Sequence, residues 1–165
     1  MQRYDISRAE KAAELLINKL KEKSLTLALS ESCTGGLASA LLTDIPGASA
    51  VLWGSFVCYT KEAKVSMLNL DGGKLLTDGL VSKQTAASMA INALEKSGAD
   101  LAAAVTGLAG PGGDGSDVPV GTVWVAAVKR GSVSVEREFH FTGTRNEIRI
   151  ASVIEIFETV ISLLV

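Results

Sequence analysis

The sequence predicts a single α/β domain covering residues 1–165, a three-layer α/β/α sandwich around a mixed, mostly parallel five-stranded sheet. Helix-like and strand-like segments follow one another in the order α-β-α-β-α-α-β-β-β-α. The last two strand-like segments are adjacent, which indicates a late antiparallel hairpin. Hydrophobic residues make up 47% of the chain and aromatic residues only 5%, a composition that favours layered helices and strands over a β-sandwich.

The first half of the chain alternates helices with strands. Ser7 has a glutamate three residues later, which predicts a capping box at the start of the first helix. Residues 24–30 are predicted to form a buried strand, residues 35–43 a helix, and residues 51–59 a second strand rich in Val, Trp, Phe and Tyr. Helices placed between strands in this way imply parallel crossovers.

Two further helices are predicted before the third strand. Residues 61–68 form a short helix, and the Asp-Gly-Gly stretch at 71–73 is expected to break the chain. Ser82 is predicted to cap a longer helix that runs to about Ser97 and is closed by Gly98.

The second half of the chain supplies the remaining strands and a long helix. Residues 101–105 have small apolar side chains on both faces, which predicts a central strand. Residues 120–129 and 132–141 are predicted to form the hairpin. Thr144 and Glu147 form a second capping box, which opens a helix that is apolar on most sides. Such a surface implies deep burial or a subunit contact, and we expect a homo-oligomer.

Charge and cysteine content narrow the class of protein. A net charge of −2 gives no electrostatic reason to expect binding to nucleic acid or to an anionic membrane. Cys33 and Cys58 are too few for a disulfide framework, and residues 1–11 lack an apolar signal core, so we expect a cytoplasmic protein. One histidine and two cysteines offer few soft ligands for zinc, and we expect no metal.

The turn after the first strand, with the sequence SESCTGG at residues 30–36, is the strongest candidate for chemistry. Backbone N–H groups at the start of a helix have no partner within the helix, and the helix dipole adds partial positive charge there. Ser32 is therefore placed to act as a nucleophile beside an oxyanion site. The alternative is that Ser32 or Thr34 merely caps the helix.

A serine nucleophile needs a base. His140 alternates with two glutamates and is expected to face solvent. Lys64 follows the second strand closely, at the same edge of the sheet as Tyr59 and Ser32, and a lysine can act as a base when its pKa is lowered. The alternative for Lys64 is a solvated surface charge.

The glycine-rich loop after the third strand contains the pattern G-x-G-x-x-G at residues 110–115. A dinucleotide site needs this turn to open a helix, whereas here a strand follows, so we expect no nucleotide cofactor. Thr106 and Gly107 lead into the loop, where glycine allows close approach of backbone to a ligand. Arg145, in the first turn of the last helix, can bind a carboxylate or a phosphate or remain a surface charge.

Several motifs occur together in the order found in one family. They are residues 31–36, 47–49, 59–64, 79–82, 106–113, 119–124 and 141–149. In these segments the chain resembles the C-terminal domain family of CinA, the competence-damage-inducible protein. Two positions depart from the usual motifs, because Thr144 precedes the arginine where Asp is common and Leu80 stands where Ala or Thr is more usual.

The resemblance implies an enzyme that hydrolyses the carboxamide of nicotinamide mononucleotide to nicotinate mononucleotide and ammonia. It implies Ser32 as nucleophile, Lys64 as general base and Tyr59 as proton relay or orienter. The expected substrate contacts are Glu31, Cys33, Thr34, Gly35, Gly36, Thr106, Gly107 and Arg145. The alternative is a catalytically silent domain that keeps the nucleotide pocket for regulation.

Overall fold

The computed structural model describes residues 5–165; residues 1–4, the start of the segment searched for a signal sequence, lie outside that range. The helices are α1 (Ile6–Lys23), α2 (Leu37–Thr43), α3 (Lys61–Leu68), α4 (Gly72–Asp78), α5 (Lys83–Ser97) and α6 (Arg145–Ser162). The strands are β1 (Leu27–Glu31), β2 (Leu52–Val57), β3 (Leu101–Gly107), β4 (Thr122–Lys129) and β5 (Val135–His140).

These strands form one five-stranded sheet with the order β2-β1-β3-β4-β5. Strand β1 pairs in parallel with both β2 and β3, whereas β4 pairs antiparallel with β3 and with β5. The predicted mixed sheet, the central β3 and the late hairpin are confirmed. Because β1, β2 and β3 are parallel, their carboxyl ends lie at one edge of the sheet, where open α/β sheets usually hold their sites.

Helices cover both faces of the sheet, which confirms the three layers. On β3, Leu101, Ala103 and Val105 pack with α1, α2 and α6. The alternate residues Ala102 and Ala104 pack against α5 and its neighbours. Side chains alternate across a strand, so the smaller residues face one helical layer and the larger ones the other.

Helix α6 is buried against α1 and the sheet. Ten of its residues are buried, so packing within the chain accounts for the apolar surface that the sequence showed, and the homo-oligomer stays a prediction. The capping box of Thr144 and Glu147 is confirmed, as are the cap by Ser82 and the closure of α5 by Gly98. In the described part of the chain, no helix is both long enough and apolar enough to span a bilayer.

Two local predictions were wrong. The first helix begins two residues earlier than expected, because the carboxylate of Asp5, not the hydroxyl of Ser7, caps it by accepting the Ser7 N–H at 3.1 Å. The 71–73 segment does not break the chain. Asp71 accepts the N–H groups of Gly73 and Lys74 and thereby starts α4, so its capping outweighs the low helix propensity of glycine.

Candidate functional site

Ser32 and Lys64 meet in the interior at the carboxyl edge of the sheet. Ser32 directly follows β1, and Lys64 lies in the first turn of α3, which Thr60 caps immediately after β2. Nζ of Lys64 lies 2.8 Å from Oγ of Ser32 and donates to the backbone O of Cys58 at 3.0 Å. The structure thus brings together the two residues expected to form the nucleophile and the base.

The Lys64 side chain is only 2% exposed. Burial removes water from the ammonium and lowers the pKa of Lys64 from its ordinary value. Among residues 5–165 no carboxylate forms a salt bridge with it. A neutral Lys64 amine can donate one N–H to Cys58 while its lone pair accepts the proton of Ser32, which is the arrangement a general base requires.

Cys33 lies next to Ser32 and is the competing nucleophile. Burial raises the pKa of its thiol to about 11. The thiolate, not the thiol, is the reactive form of cysteine. At neutral pH Cys33 is therefore a neutral thiol, and the geometry favours Ser32 for the chemistry.

A cavity of about 240 Å³ opens above the Ser32–Lys64 pair. Of the predicted site residues, it brings together Ser32, Cys33, Tyr59, Lys64, Thr106, Gly107 and Arg145. Leu80, Val81 and Leu108 add apolar lining, and the glycine loop adds Ala109, Gly110, Gly112, Gly113 and Asp114. The cavity therefore combines reactive groups, apolar surface and one exposed cation.

Four predicted contacts do not line this cavity: Glu31, Thr34, Gly35 and Gly36. Glu31 is only 1% exposed, and its carboxylate accepts five hydrogen bonds from the protein. Its geometry is that of a residue that orders the turn, and direct contact of these four with a ligand stays a prediction.

The expectation that α2 leaves its first N–H groups free was wrong. The N–H groups of Gly36, Ala38 and Ser39 all donate to Glu31. Within residues 5–165, the N–H groups of Cys33 and Thr34 donate to no other residue, although the N–H of Cys33 lies close to its own thiol. The turn, not the helix, thus holds the backbone donors that could stabilise an oxyanion beside Ser32.

Tyr59 and Arg145 form a pair at the rim. The Tyr59 side chain is 55% exposed, and its hydroxyl accepts a hydrogen bond from Nη2 of Arg145 at 2.7 Å. Nη1 of Arg145 donates to the backbone O of Gly110, also at 2.7 Å. The hydroxyl of Tyr59 therefore contacts the rim cation in this structure, not Ser32 or Lys64.

Thr106 and Gly107 are the last two residues of β3 and line the cavity where the strand ends. The hydroxyl of Thr106 donates to the backbone O of Leu80 at 2.7 Å and so ties the third strand to the α4–α5 connection. A β-carbon at Gly107 would lie 2.7 Å from Cγ2 of Val123 and 2.8 Å from the backbone O of Thr122. The close approach of β4 thus requires glycine at this position.

Sequence reasoning did not propose Arg149, Leu80, Val81 or Asp114 as site residues. Arg149 donates from Nη2 to the backbone O of Thr34 at 2.7 Å and supports the turn from the α6 side. Its position one helical turn after Arg145 was the available signal. Leu80 and Val81 lie in the motif at residues 79–82 and Asp114 in the glycine pattern at residues 110–115, but neither pattern showed that these side chains line the cavity.

His140 lies outside the cavity. The His140 imidazole is exposed and lies 3.5 Å from Glu138, away from the residues that line the cavity. The structure, over the part of the chain that it describes, contains no group of three or more residues able to hold a metal ion. The pattern at residues 110–115 forms part of the cavity wall and leads to β4, not to a helix.

Comparison with known proteins gives consistent matches over most of the chain. The model of the CinA C-terminal domain matches residues 9–164. A CinA-like protein of Citrifermentans bemidjiense is 47% identical over 130 residues, which cover 79% of this chain and 31% of that protein. A CinA-like protein of Dictyoglomus turgidum is 40% identical over 141 residues, covering 86% and 34%. The chain thus spans about a third of the length of these relatives.

Solved structures of similar size share the fold. A competence/damage inducible protein from Agrobacterium tumefaciens superposes with a TM-score of 0.91 at 42% identity, covering 94% of this chain and 95% of that one. A CinA superfamily protein from Escherichia coli superposes with a TM-score of 0.91 at 30% identity, covering 99% and 94%. With the family model matching nearly the whole chain, this protein belongs to the CinA C-terminal domain family.

Proposed function

We propose that the protein hydrolyses the carboxamide of nicotinamide mononucleotide, giving nicotinate mononucleotide and ammonia. The observation that carries this proposal is the buried pair at the base of the cavity, in which Nζ of Lys64 lies 2.8 Å from Oγ of Ser32. A lysine whose pKa is lowered by burial is a fitting base for a serine that attacks an amide.

In the first half of the reaction, the neutral amine of Lys64 accepts the proton of Ser32 as Oγ attacks the carboxamide carbon. The oxyanion that forms can accept hydrogen bonds from the N–H groups of Cys33 and Thr34. The Lys64 ammonium then gives its proton to the amide nitrogen, and the C–N bond breaks. Ammonia is released, and the acyl group remains bound to Oγ of Ser32 as an ester.

In the second half, Lys64 accepts a proton from water as the water oxygen attacks the ester carbon. The bond between that carbon and Oγ of Ser32 breaks, and Oγ takes the proton back from Lys64. The product is the nicotinate carboxylic acid, which ionises, and Ser32 and Lys64 return to their initial states. One base thus serves both steps without a metal.

The substrate phosphate is best matched by Arg145. A guanidinium carries five N–H donors, and Arg145 uses one on Tyr59 and one on Gly110. Three donors remain for an anion. The backbone N–H of Thr144, the residue that caps α6, is less suited, because the carboxylate of Glu147 already accepts it at 2.8 Å.

The proposal is tested by measuring ammonia release from nicotinamide mononucleotide by the purified chain. Ser32→Ala is the matched control, and we expect it to fold and to lose at least about a thousandfold in kcat. Nicotinamide riboside and free nicotinamide are compared as substrates lacking the phosphate. Tight binding of the mononucleotide without ammonia release would contradict the proposal and indicate a silent nucleotide-binding domain.

A further inference from the structure

The carboxylate of Glu31 is enclosed by donors from three segments of the chain. Oε2 accepts the Thr34 hydroxyl at 2.8 Å and two backbone N–H groups at 3.0 Å, and Oε1 accepts a backbone N–H at 2.9 Å and a hydroxyl at 3.1 Å. The donors are Thr34 Oγ1, Gly36 N, Ala38 N, Ser39 N and Ser55 Oγ. One side chain thus links the turn after β1, the start of α2, and the neighbouring strand β2.

The position of Glu31 on β1 explains how it reaches these donors. Leu27, Leu29 and Glu31 share one face of the strand, the face that packs against α2. Ser32 follows directly. A group that holds Glu31 in place therefore also sets the direction in which the chain leaves β1 and presents Ser32.

The Glu31 carboxylate takes the place that an external anion would take at the first N–H groups of α2. A carboxylate is acceptor-only and matches a ring of donors. With these helix donors occupied, the N–H groups of Cys33 and Thr34 remain the donors of the turn that bind no other residue within residues 5–165. Arg149 holds the same turn from the other side through the backbone O of Thr34.

We propose that Glu31 is a positioning residue, whose buried carboxylate fixes the turn so that Ser32 meets Lys64 and the Cys33 and Thr34 N–H groups stay free for the oxyanion. This inference rests on the proposed Ser/Lys chemistry, but not on the identity of the substrate. It replaces the expected contact between Glu31 and substrate with a role inside the protein.

Glu31→Gln is the sharpest probe, because it keeps the size of the side chain. A glutamine has one oxygen and one NH₂ group. Whichever way the amide turns, its NH₂ faces at least one backbone N–H of α2, so the turn must shift. Misplacement of a reacting group by about 1 Å can cost about a hundredfold in rate. We expect Ser32 to react about tenfold to a hundredfold more slowly in this variant.

The experiment measures labelling of Ser32 by diisopropyl fluorophosphate, with intact mass as the readout. In this reaction Oγ forms a bond to phosphorus, the P–F bond breaks with loss of fluoride, and Lys64 takes the Oγ proton. The expected result for Glu31→Gln is one label per chain at the reduced rate, with an unchanged midpoint in the pH dependence. Glu22→Gln, an exposed glutamate on α1, is the matched control and should label at the wild-type rate.

Several results would overturn the positioning role. The first is labelling of Glu31→Gln at the wild-type rate, and the second is a shifted midpoint in its pH dependence. The third is a lower stoichiometry of labelling with an unchanged rate, because this would mean only that fewer chains fold. If Glu31→Gln does not fold, Glu31→Asp decides, with slower labelling at one label per chain expected and an unchanged rate contradicting the role. A wild-type chain that takes no label would overturn this inference together with the Ser/Lys mechanism. A wild-type chain that labels but releases no ammonia would overturn only the substrate.

Discussion

The base and the rim of the cavity each present a basic side chain, and the two lie in opposite environments. Lys64 at the base is 2% exposed and contacts a hydroxyl and a backbone carbonyl. Arg145 at the rim is exposed and contacts a phenol and a backbone carbonyl. Burial lowers the pKa of Lys64, whereas an arginine stays charged at any usable pH.

This difference in exposure suits Lys64 and Arg145 to different roles. A buried amine that readily loses its proton can exchange that proton with Ser32. An exposed guanidinium with spare donors can hold an anionic group of a ligand but cannot act as a base. In the proposed mechanism, proton transfer takes place at the base of the cavity and binding of the anionic group at its rim.

Lys64→Arg has the largest expected effect, because it places a guanidinium, the group that Arg145 presents at the rim, at the base of the cavity. We expect kcat to fall at least about a thousandfold, since guanidinium cannot accept the Ser32 proton. Lys64→Met, unbranched and uncharged, should lose as much and separates loss of the base from crowding by the larger arginine. Ammonia release by folded protein measures both, and near-normal turnover in either would place the base elsewhere, with Lys61 the first alternative.

Arg145→Ala removes the rim cation and leaves the base intact. A hydrogen bond to a charged group contributes about 1.5–3 kcal/mol, so we expect KM for nicotinamide mononucleotide to rise about tenfold to a hundredfold with kcat little changed. KM for nicotinamide riboside should hardly move. Arg137→Ala, on β5 and outside the cavity lining, is the control. Equal losses on both substrates would give Arg145 a structural role instead.

Tyr59→Phe tests whether the phenol acts together with Arg145 at the rim or with Lys64 at the base. Its hydroxyl accepts a hydrogen bond from the charged guanidinium of Arg145. Water can replace the hydroxyl at the exposed rim, so we expect a loss smaller than that of a full hydrogen bond to a charged group, about 1.5–3 kcal/mol. We therefore expect a rise in KM of about two- to tenfold and a nearly unchanged kcat. A fall in kcat with constant KM would instead make Tyr59 a proton relay to the Ser32–Lys64 pair.

Local signals predicted much of the fold. The bounds of α3, the caps at Ser82 and Gly98, and the capping box of Thr144 each depend on a few neighbouring residues, and all were confirmed. Helix α4 was not predicted, because the two glycines after Asp71 indicate an end of helical structure, whereas the capping carboxylate of Asp71 starts a helix there. The hairpin strands are shorter than predicted, since β4 begins at Thr122 and β5 at Val135.

Most of the candidate site residues predicted from the sequence do line the cavity, but their contacts could not be predicted. Ser32 and Lys64 lie 32 positions apart and Tyr59 and Arg145 lie 86 apart, so packing of the whole chain sets their distances. The burial of Lys64 had a weak signal, because Leu68 follows it at i+4 on the same buried face of α3. No periodicity could show that the Glu31 carboxylate accepts three backbone N–H groups and two hydroxyls of neighbouring residues.

In the proposed mechanism, Lys64 is the base because burial makes its ammonium lose a proton readily. The direct measurement is an NMR titration of the Lys64 side-chain amine in the wild-type chain, alongside the pH dependence of kcat/KM for nicotinamide mononucleotide. We predict that Lys64 titrates below the usual lysine pKa of about 10.4, and that kcat/KM rises with pH through the same midpoint, since only the neutral amine accepts the Ser32 proton. A Lys64 that titrates with the exposed lysines, or a kcat/KM that rises through a different midpoint, would contradict the account.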